Sequence, residues 1–554
     1  MNVLGVHGFD DDAGAALVCD GEMFFIPQER LTRKKHDGGF PEESIFYVMD
    51  LAGLKKPGEI DMVVFDSMGK QTGKMRRRLK KMGCEGKTIS VSHHDALAAA
   101  AYFTGPFEEA AALVIDSRGS LADEMPDAPP FYASHPFSRE LHSMYVGKAG
   151  RLNVLNRTFS SSGWGVGPGA MRVLGAMTAG FSKHDGEKLI ALAALGERDD
   201  VFPECAFTDF EGSCLAEGEP EIDPRAEENV QYYSKLFFRN LPRRKQEWPI
   251  RRVHCELARA VHNQSSNAAV SMARFLYEAT GFENLCVGGE FGLSCDFNSA
   301  PAKKTPFKDI FINPVAAGAG AALGAALHGY HVTAGLPFVP KMFSPCLGKK
   351  YSEHEILSAL SEFPRVKYCR PRRLEEKAVE LLSLGKICGW FKGRSEVCSQ
   401  SFGSRGILAD PRDLDIRRRL NTEIKCGESF LTHAIAIMAD DAAEYFHICG
   451  ESPNMHGILR ARNGVKRKLP AVVLKNGTAM VRTVNRGEPL FELLDAFGRR
   501  TDVPALLNAS FNREGEPIVE TPVDALRFFM SSKIDFLILE DWLVTKKGSA
   551  HDSF

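Results

Sequence analysis

The chain lacks an excess of either charge: 69 Lys and Arg stand against 71 Asp and Glu, a formal charge of −2 over 554 residues. That balance argues against a dedicated binder of nucleic acid or of an acidic membrane, which would carry a basic surplus. Basic runs at 74–81, 243–245 and 417–419 read first as solvated faces, with polyanion binding as the sharper alternative. Long apolar runs are missing as well. The longest weakly polar stretch, 315–327, is rich in Gly and Ala and falls short of the roughly 20 residues a spanning helix needs. The 13 cysteines are odd in number, scattered, and form no CxxC pair. A zinc ribbon or a disulfide framework is therefore not expected, and most cysteines read as reduced thiols. The opening MNVLGVHGFDDD puts acid where a secretion signal would be apolar, so the cytoplasm is the expected location.

What is present is ordinary globular material. Apolar residues make up 44%, enough for sizeable cores, and the length suggests about three compact units, or two domains of which one is bilobal. Short apolar strands are expected at 3–6, 15–18, 22–26, 62–65, 88–91 and 112–115. Helices are expected at 42–54 and 96–103 between them. Such alternation implies an α/β domain with a mixed or parallel sheet. The text over 200–250 turns polar and irregular, like an insertion. A helix at 254–280, a strand at 284–287 and a Gly/Ala-rich helix at 316–328 complete the first domain. Three prolines and little periodicity mark 331–350 as a linker. A second α/β unit follows, beginning with a helix at 374–384 and a strand at 387–391.

Four constellations could carry chemistry. The first joins three strand-end turns. Asp10, Asp11 and Asp12 lie in a hairpin turn, Asp116 closes the strand at 112–115, and Gly288-Gly289 follow the strand at 284–287. Acids there could hold metal or orient water, and glycines let a nucleotide approach the backbone; a solvated acidic turn is the plainer alternative. The second is Ser92-His93-His94-Asp95, opening a helix. It could ligate a divalent metal with Asp116, but position 97, where an i+4 partner would sit, is Leu. The third is the basic run Arg30 to Asp37 before Gly39-Phe40-Pro41, a candidate for binding a phosphate or carbamoyl-phosphate group. A plain basic loop is its alternative. The fourth gathers Arg394, Glu396, Arg405, Lys425, Asn508, Ser510 and Asn512, whose donors suit a small polar ligand in a cleft, or a satisfied turn network.

On these residues the chain resembles the O-carbamoyltransferases of the NodU/CmcH type. The most specific segments are RLTRKKHDGGFP (30–41), GPFEEAAALVID (105–116), FKDIFINP (307–314) with GAALGAAL (320–327), ILADPRD (407–413) and NASFNREGEPIVETPVDA (508–525). The resemblance runs nearly end to end. It implies an N-terminal actin-like ATPase domain (ASKHA, TsaD-like) over 1–340 and a C-terminal YrdC-like α/β domain over 351–554. It implies ATP and carbamoyl phosphate as substrates, carbamoyl-adenylate as intermediate, and a hydroxyl of a small natural-product or sugar acceptor as target. It also implies a divalent metal, iron in the family, held by what remains of the metal set, His93 and Asp116. By the same resemblance Asp12, Lys35 and His36 are the catalytic candidates, and Gly288, Gly289 and Gly320 line the nucleotide. Arg394, Glu396, Arg405, Lys425, Asn508, Ser510 and Asn512 line the carbamoyl-adenylate cleft.

The sequence also departs from the family pattern. Asp11 aligns with the usual His of the first turn, and Leu97 and Gly318 stand at two metal-ligand positions. Gln400, Gly427 and Leu431 stand where the cleft has Arg. A second reading follows, an impaired paralogue acting as structural or regulatory partner of an intact homologue. A homodimer and a heterodimer with such a homologue both stay open; neither nucleic acid nor membrane is expected as a partner.

Overall fold

The computed structural model describes every residue except 136–137, 161–165, 199, 203–226, 294–303, 316, 449–457 and 549–554. The described chain is mixed α/β and divides by its contacts into two compact units. One comprises 1–25 and 38–343; the other comprises 26–37 and 344–554. The short segment 26–37, which carries most of the basic run, thus counts with the second unit although it interrupts the first in sequence.

The first unit holds two five-stranded sheets. In one, β1 (Asn2–His7) pairs antiparallel with β2 (Gly14–Cys19) and parallel with β4 (Met62–Ser67), which pairs parallel with β5 (Lys87–Ser92). With β3 (Glu22–Pro27) the order is β3-β2-β1-β4-β5. In the other, β6 (Glu109–Ile115) pairs antiparallel with β7 (Glu140–Lys148), which pairs antiparallel with β8 (Arg151–Phe159). On its other side β6 pairs parallel with β9 (Asn284–Gly288), which pairs parallel with β10 (Asp309–Ile312). The order β8-β7-β6-β9-β10 repeats that of the first sheet strand for strand. The turn after β1 and the turn after β6 are therefore topological equivalents, each at the end of a central strand.

Small residues let this unit close. The helix Ala321–Leu327 lies against β1 and against the helix His93–Phe103. A Cβ on Gly5 would meet the Ala322 carbonyl oxygen at 2.0 Å, and one on Gly324 the Ala96 oxygen at 1.8 Å. The expected 316–328 helix is shorter than the sequence suggests. A 3₁₀ turn, Gly318–Gly320, precedes it, and a π-turn, His328–Thr333, replaces its end. The helix expected from 96 starts at His93, because the Ser92 hydroxyl caps it by accepting the Asp95 N–H at 3.0 Å. Of the expected insertion at 200–250, 203–226 lies outside the described residues, and the described remainder includes the helix Val230–Phe237.

The second unit is built on a nine-stranded sheet. Its strands are β11 (Val366–Cys369), β12 (Cys388–Phe391), β13 (Arg405–Ala409), β14 (Ala434–Met438), β15 (Ile458–Arg460), β16 (Thr478–Val484), β17 (Ala505–Ser510), β18 (Phe536–Leu539) and β19 (Trp542–Lys546). Their order is β11-β19-β18-β12-β13-β17-β14-β16-β15. Alternate residues feed two cores. Ile407, Ile435 and Leu507 enter one cluster, and Leu408, Ala436 and Leu506 the other. Both faces are covered, which is why these strands read as continuous apolar runs. No helix among the described residues is long and apolar enough to cross a membrane, and the described cysteines are free thiols.

Candidate functional site

In the first unit, four buried side chains meet where strands end. His7 is the last residue of β1, Asp66 lies near the end of the adjacent parallel strand β4, His93 opens its helix, and Asp116 follows β6. His7 Nδ1 donates to the Asp66 carboxylate at 2.8 and 2.9 Å. His93 Nδ1 donates to the same carboxylate at 2.6 Å, and His93 Nε2 to Asp116 Oδ2 at 3.0 Å. The far end is anchored by the Ser117 and Glu290 N–H groups, which donate to Asp116 Oδ1 at 2.8 and 3.3 Å. The near end reaches the first turn, where His7 Nε2 lies 3.2 Å from the Asp11 carbonyl oxygen. Burial opposes charge on His93, but the hydrogen bonds to Asp116 and Asp66 outweigh it and push its pKa up to about 10. Burial likewise opposes ionisation of Asp66, yet His7 and His93 hold it far below the usual carboxylate range.

His93 and Asp116, the two metal candidates, are thus brought together, but with partners of their own. His7, Asp66 and His93 are all buried and their ligand atoms lie within 4.8 Å of one another, close enough to hold a metal ion, whereas two positions that the resemblance assigns to ligands carry none. Leu97 is fully buried in the core. Gly318 has a left-handed φ of 51°, which L side chains rarely adopt, and a Cβ there would stand 3.0 Å from both Cβ and Oδ2 of Asp12. The 2.6 to 2.9 Å separations around Asp66 are hydrogen-bond lengths.

The acidic turn is neutralised within the unit. Asp10 accepts from Arg118 at 2.8 Å and Asp11 from Lys183 at 2.7 Å, while Asp12 takes a left-handed φ of 60°. The candidate nucleotide glycines have packing reasons of their own. A Cβ on Gly289 would meet the Ile115 oxygen at 2.1 Å, on Gly288 the Leu97 oxygen at 2.9 Å, and on Gly320 the Val315 oxygen at 1.3 Å. Each permits a close approach of the chain to itself.

The basic run, expected to present donors to a phosphate, has its arginines committed inside the second unit. Arg30, 1% exposed, donates to the carbonyls of Glu396 and Cys398 at 2.9 Å and of Val519 at 3.4 Å. Arg33 donates to the Ile518 and Pro517 carbonyls at 2.7 and 2.8 Å. Lys35 donates to Glu29 Oε1 at 3.0 Å, and the His36 N–H to Glu29 Oε2 at 2.9 Å. The segment is a structural clasp in which Arg30 and Arg33 face carbonyls and Lys35 a carboxylate.

The cleft candidates of the second unit separate into two groups. Lys425, Ser510 and Asn512 converge: the Lys425 ammonium donates to the Ser510 carbonyl and hydroxyl, both at 2.9 Å, and to Asn512 Oδ1 at 2.7 Å. The others act as scaffold. Arg405 is fully buried, lies 3.5 Å over the Phe391 ring, and donates to the carbonyls of Gly393 and Ser404 at 3.1 and 3.0 Å. Glu396 Oε1 accepts from the N–H groups of Phe402 and Arg405 at 3.1 and 2.9 Å. Asn508 donates to the Ser401 carbonyl at 2.9 Å, and Arg394 to the Leu347 and Gly348 carbonyls at 3.1 and 3.0 Å.

Beside this cluster, His433 is a residue the sequence did not suggest. It is buried and its Nε2 lies 2.5 Å from Asn421 Oδ1. Burial, with Lys425 and Arg417 adding to it, pushes His433 down to about 3. The unfolded chain, with His near 6.5, therefore binds a proton that the folded one refuses. The cost is absent above the unfolded value and grows as pH falls toward the folded one, reaching about 2 kcal/mol near pH 5. His433→Gln is expected to keep the bond to Asn421 and to flatten urea stability between about pH 6.5 and 5. An unchanged acid slope would contradict this.

Known proteins resemble the chain in both units. The family model described as Carbamoyltransferase N-terminus matches residues 2–82 and 72–327, and that described as Carbamoyltransferase C-terminus matches 379–546. An uncharacterized protein of Synechocystis is 28% identical over 98% of this chain and 97% of its own length. Nodulation protein NolNO of Sinorhizobium fredii is 26% identical over 99% of this chain and 80% of its own. The 3'-hydroxymethylcephem-O-carbamoyltransferase of Amycolatopsis lactamdurans is 30% identical over 48% of this chain and 49% of its own.

Proposed function

The chain belongs to the carbamoyltransferase family, and on that premise we propose that it is an ATP-dependent O-carbamoyltransferase acting on a hydroxyl of a small natural-product or sugar acceptor. The donor is carbamoyl phosphate. In the second unit, read as YrdC-like, carbamoyl phosphate loses its phosphate to water, and the resulting carbamate oxygen attacks the α-phosphorus of ATP. Pyrophosphate leaves and carbamoyl-adenylate remains. In the first unit, read as an actin-like ATPase domain, the acceptor oxygen attacks the carbamoyl carbon. AMP departs as the acceptor proton is lost.

The observation that carries this reading is the convergence of Lys425, Ser510 and Asn512 at the end of β17. The three N–H groups of the ammonium are directed to Ser510 and Asn512, so Lys425 acts on an anionic substrate as a fixed positive charge, with the Ser510 hydroxyl beside it as a donor. Loss of one charge-assisted contact weakens anion binding by about 1.5–3 kcal/mol, roughly 10–10²-fold. Lys425→Ala is therefore expected to lower carbamoyl-phosphate-dependent pyrophosphate release by that factor. Wild-type turnover that survives the substitution intact would refute the assignment.

A further inference from the structure

We propose that His7, Asp66 and His93 together form a divalent-metal site, with Asp116 as an outer residue that orients His93 and not as a ligand. The inference stands on the geometry of the first unit and does not need the transfer reading above.

The resemblance assigns the ion to His93 and Asp116, but the side chains converge elsewhere. Both imidazoles turn Nδ1 to one carboxylate. His7 Nδ1 lies 2.8 and 2.9 Å from the two Asp66 oxygens, and His93 Nδ1 lies 2.6 Å from Asp66 Oδ2. One ligand atom from each of the three residues lies within 4.8 Å of the others, and all three residues are buried. Asp116 meets His93 at the other nitrogen, Nε2, 3.0 Å away. The two nitrogens of an imidazole point away from each other, so an ion at Nδ1 has Asp116 behind the ring.

The outer contacts complete the pattern. A metal-ligating histidine almost always gives its second ring nitrogen to a carboxylate or a backbone carbonyl, which fixes the ring. His93 has the first kind of partner in Asp116, which the Ser117 and Glu290 N–H groups hold in turn at 2.8 and 3.3 Å. His7 has the second kind, the Asp11 carbonyl oxygen 3.2 Å from Nε2. Separate parts of the fold thus aim both Nδ1 atoms at Asp66. An ion entering there takes the place of the hydrogens that join them to the carboxylate.

The donor set selects the ion. Two imidazoles and one carboxylate suit zinc or iron(II), whereas calcium and magnesium take oxygen ligands. The ligands come from β1, from β4 and from the first turn of the helix His93–Phe103, so a bound ion ties three elements together. His7 and Asp66 supply the donors that Leu97 and Gly318 lack.

The test is a cobalt titration of the full chain after chelation. Co(II) bound to imidazole and carboxylate gives visible d–d bands, and bound metal can be counted after desalting. The wild-type protein is expected to retain one equivalent, and to melt at a higher temperature with it because the ion binds only the folded chain. His7→Gln is expected to lose both the bands and the melting shift. Asp116→Asn is expected to keep the bands with affinity lower by about 10–10²-fold, the effect of removing an outer partner. X-ray absorption of the wild-type cobalt protein needs no variant to fold, and is expected to show two imidazoles on the ion. No retained equivalent in the wild type, bands unchanged in His7→Gln, or a single imidazole on the ion would each overturn the proposal. An Asp116→Asn protein that holds no ion even at about 10²-fold more Co(II) would make Asp116 a ligand and overturn it as well. Pyrophosphate release does not enter these measurements, so failure of the transfer reading would be seen separately.

Discussion

Asp66→Asn is expected to be among the most destabilising single substitutions in the first unit, lowering stability by about 3–5 kcal/mol, the range for breaking a buried ion pair from one side. Asn keeps the volume, so packing is preserved and charge is what changes. Asp66 is the shared acceptor of His7 and His93. Without its charge two buried imidazoles lose the partner that holds their protons, and an amide must offer one oxygen where two rings need acceptors. Urea denaturation with matched wild-type controls measures the loss. A change below about 1 kcal/mol, the level of a surface pair, would mean that the network contributes little.

Arg30→Met is expected to act on the second unit with similar size. The guanidinium is buried and serves three backbone carbonyls, with the Glu520 carboxylate 3.8 Å away. Met fills much of the stem's space but leaves those oxygens without their donor, each costing about 1–3 kcal/mol when buried. Arg30→Lys is expected to rescue poorly, because one ammonium cannot reproduce a planar fork directed at three acceptors. Hydrogen exchange should rise in 26–37, 396–398 and 517–520 together. A loss of protection confined to 26–37 would show that the segment is an appendage of the second unit and not a clasp.

Much of the fold was legible because its signals are local. The apolar runs at 3–6, 62–65 and 112–115 became β1, β4 and β6, and the long helix expected at 254–280 is Arg252–Thr280, ended by Gly281 in a left-handed conformation. The hairpin of β7 and β8 was not legible, since β8 is largely exposed on its outer side and reads as a polar segment. The site was legible in part. His93 and Asp116 announced themselves as a His beside a His and an Asp ending a strand. His7 and Asp66 did not, because each looks like the polar end of an apolar run. The signal that could have found them is joint: two adjacent parallel strands, each ending in a residue that buries poorly alone. The partners of the basic run in 26–37 were not legible for a similar reason. Basic residues in a loop suggest solvent or phosphate, and only long-range contacts show that Arg30 and Arg33 serve carbonyls hundreds of residues away.

The most direct test of the transfer chemistry is trapping the activated carbamoyl group. Purified full-length protein is incubated with ATP, Mg²⁺, carbamoyl phosphate and hydroxylamine, and hydroxyurea is quantified against pyrophosphate. Carbamoyl-adenylate formed at the Lys425 cluster is expected to yield ATP-dependent hydroxyurea in step with pyrophosphate, and both should fall together in Lys425→Ala. Hydroxyurea no higher with ATP than without it, with no pyrophosphate released, would contradict the account.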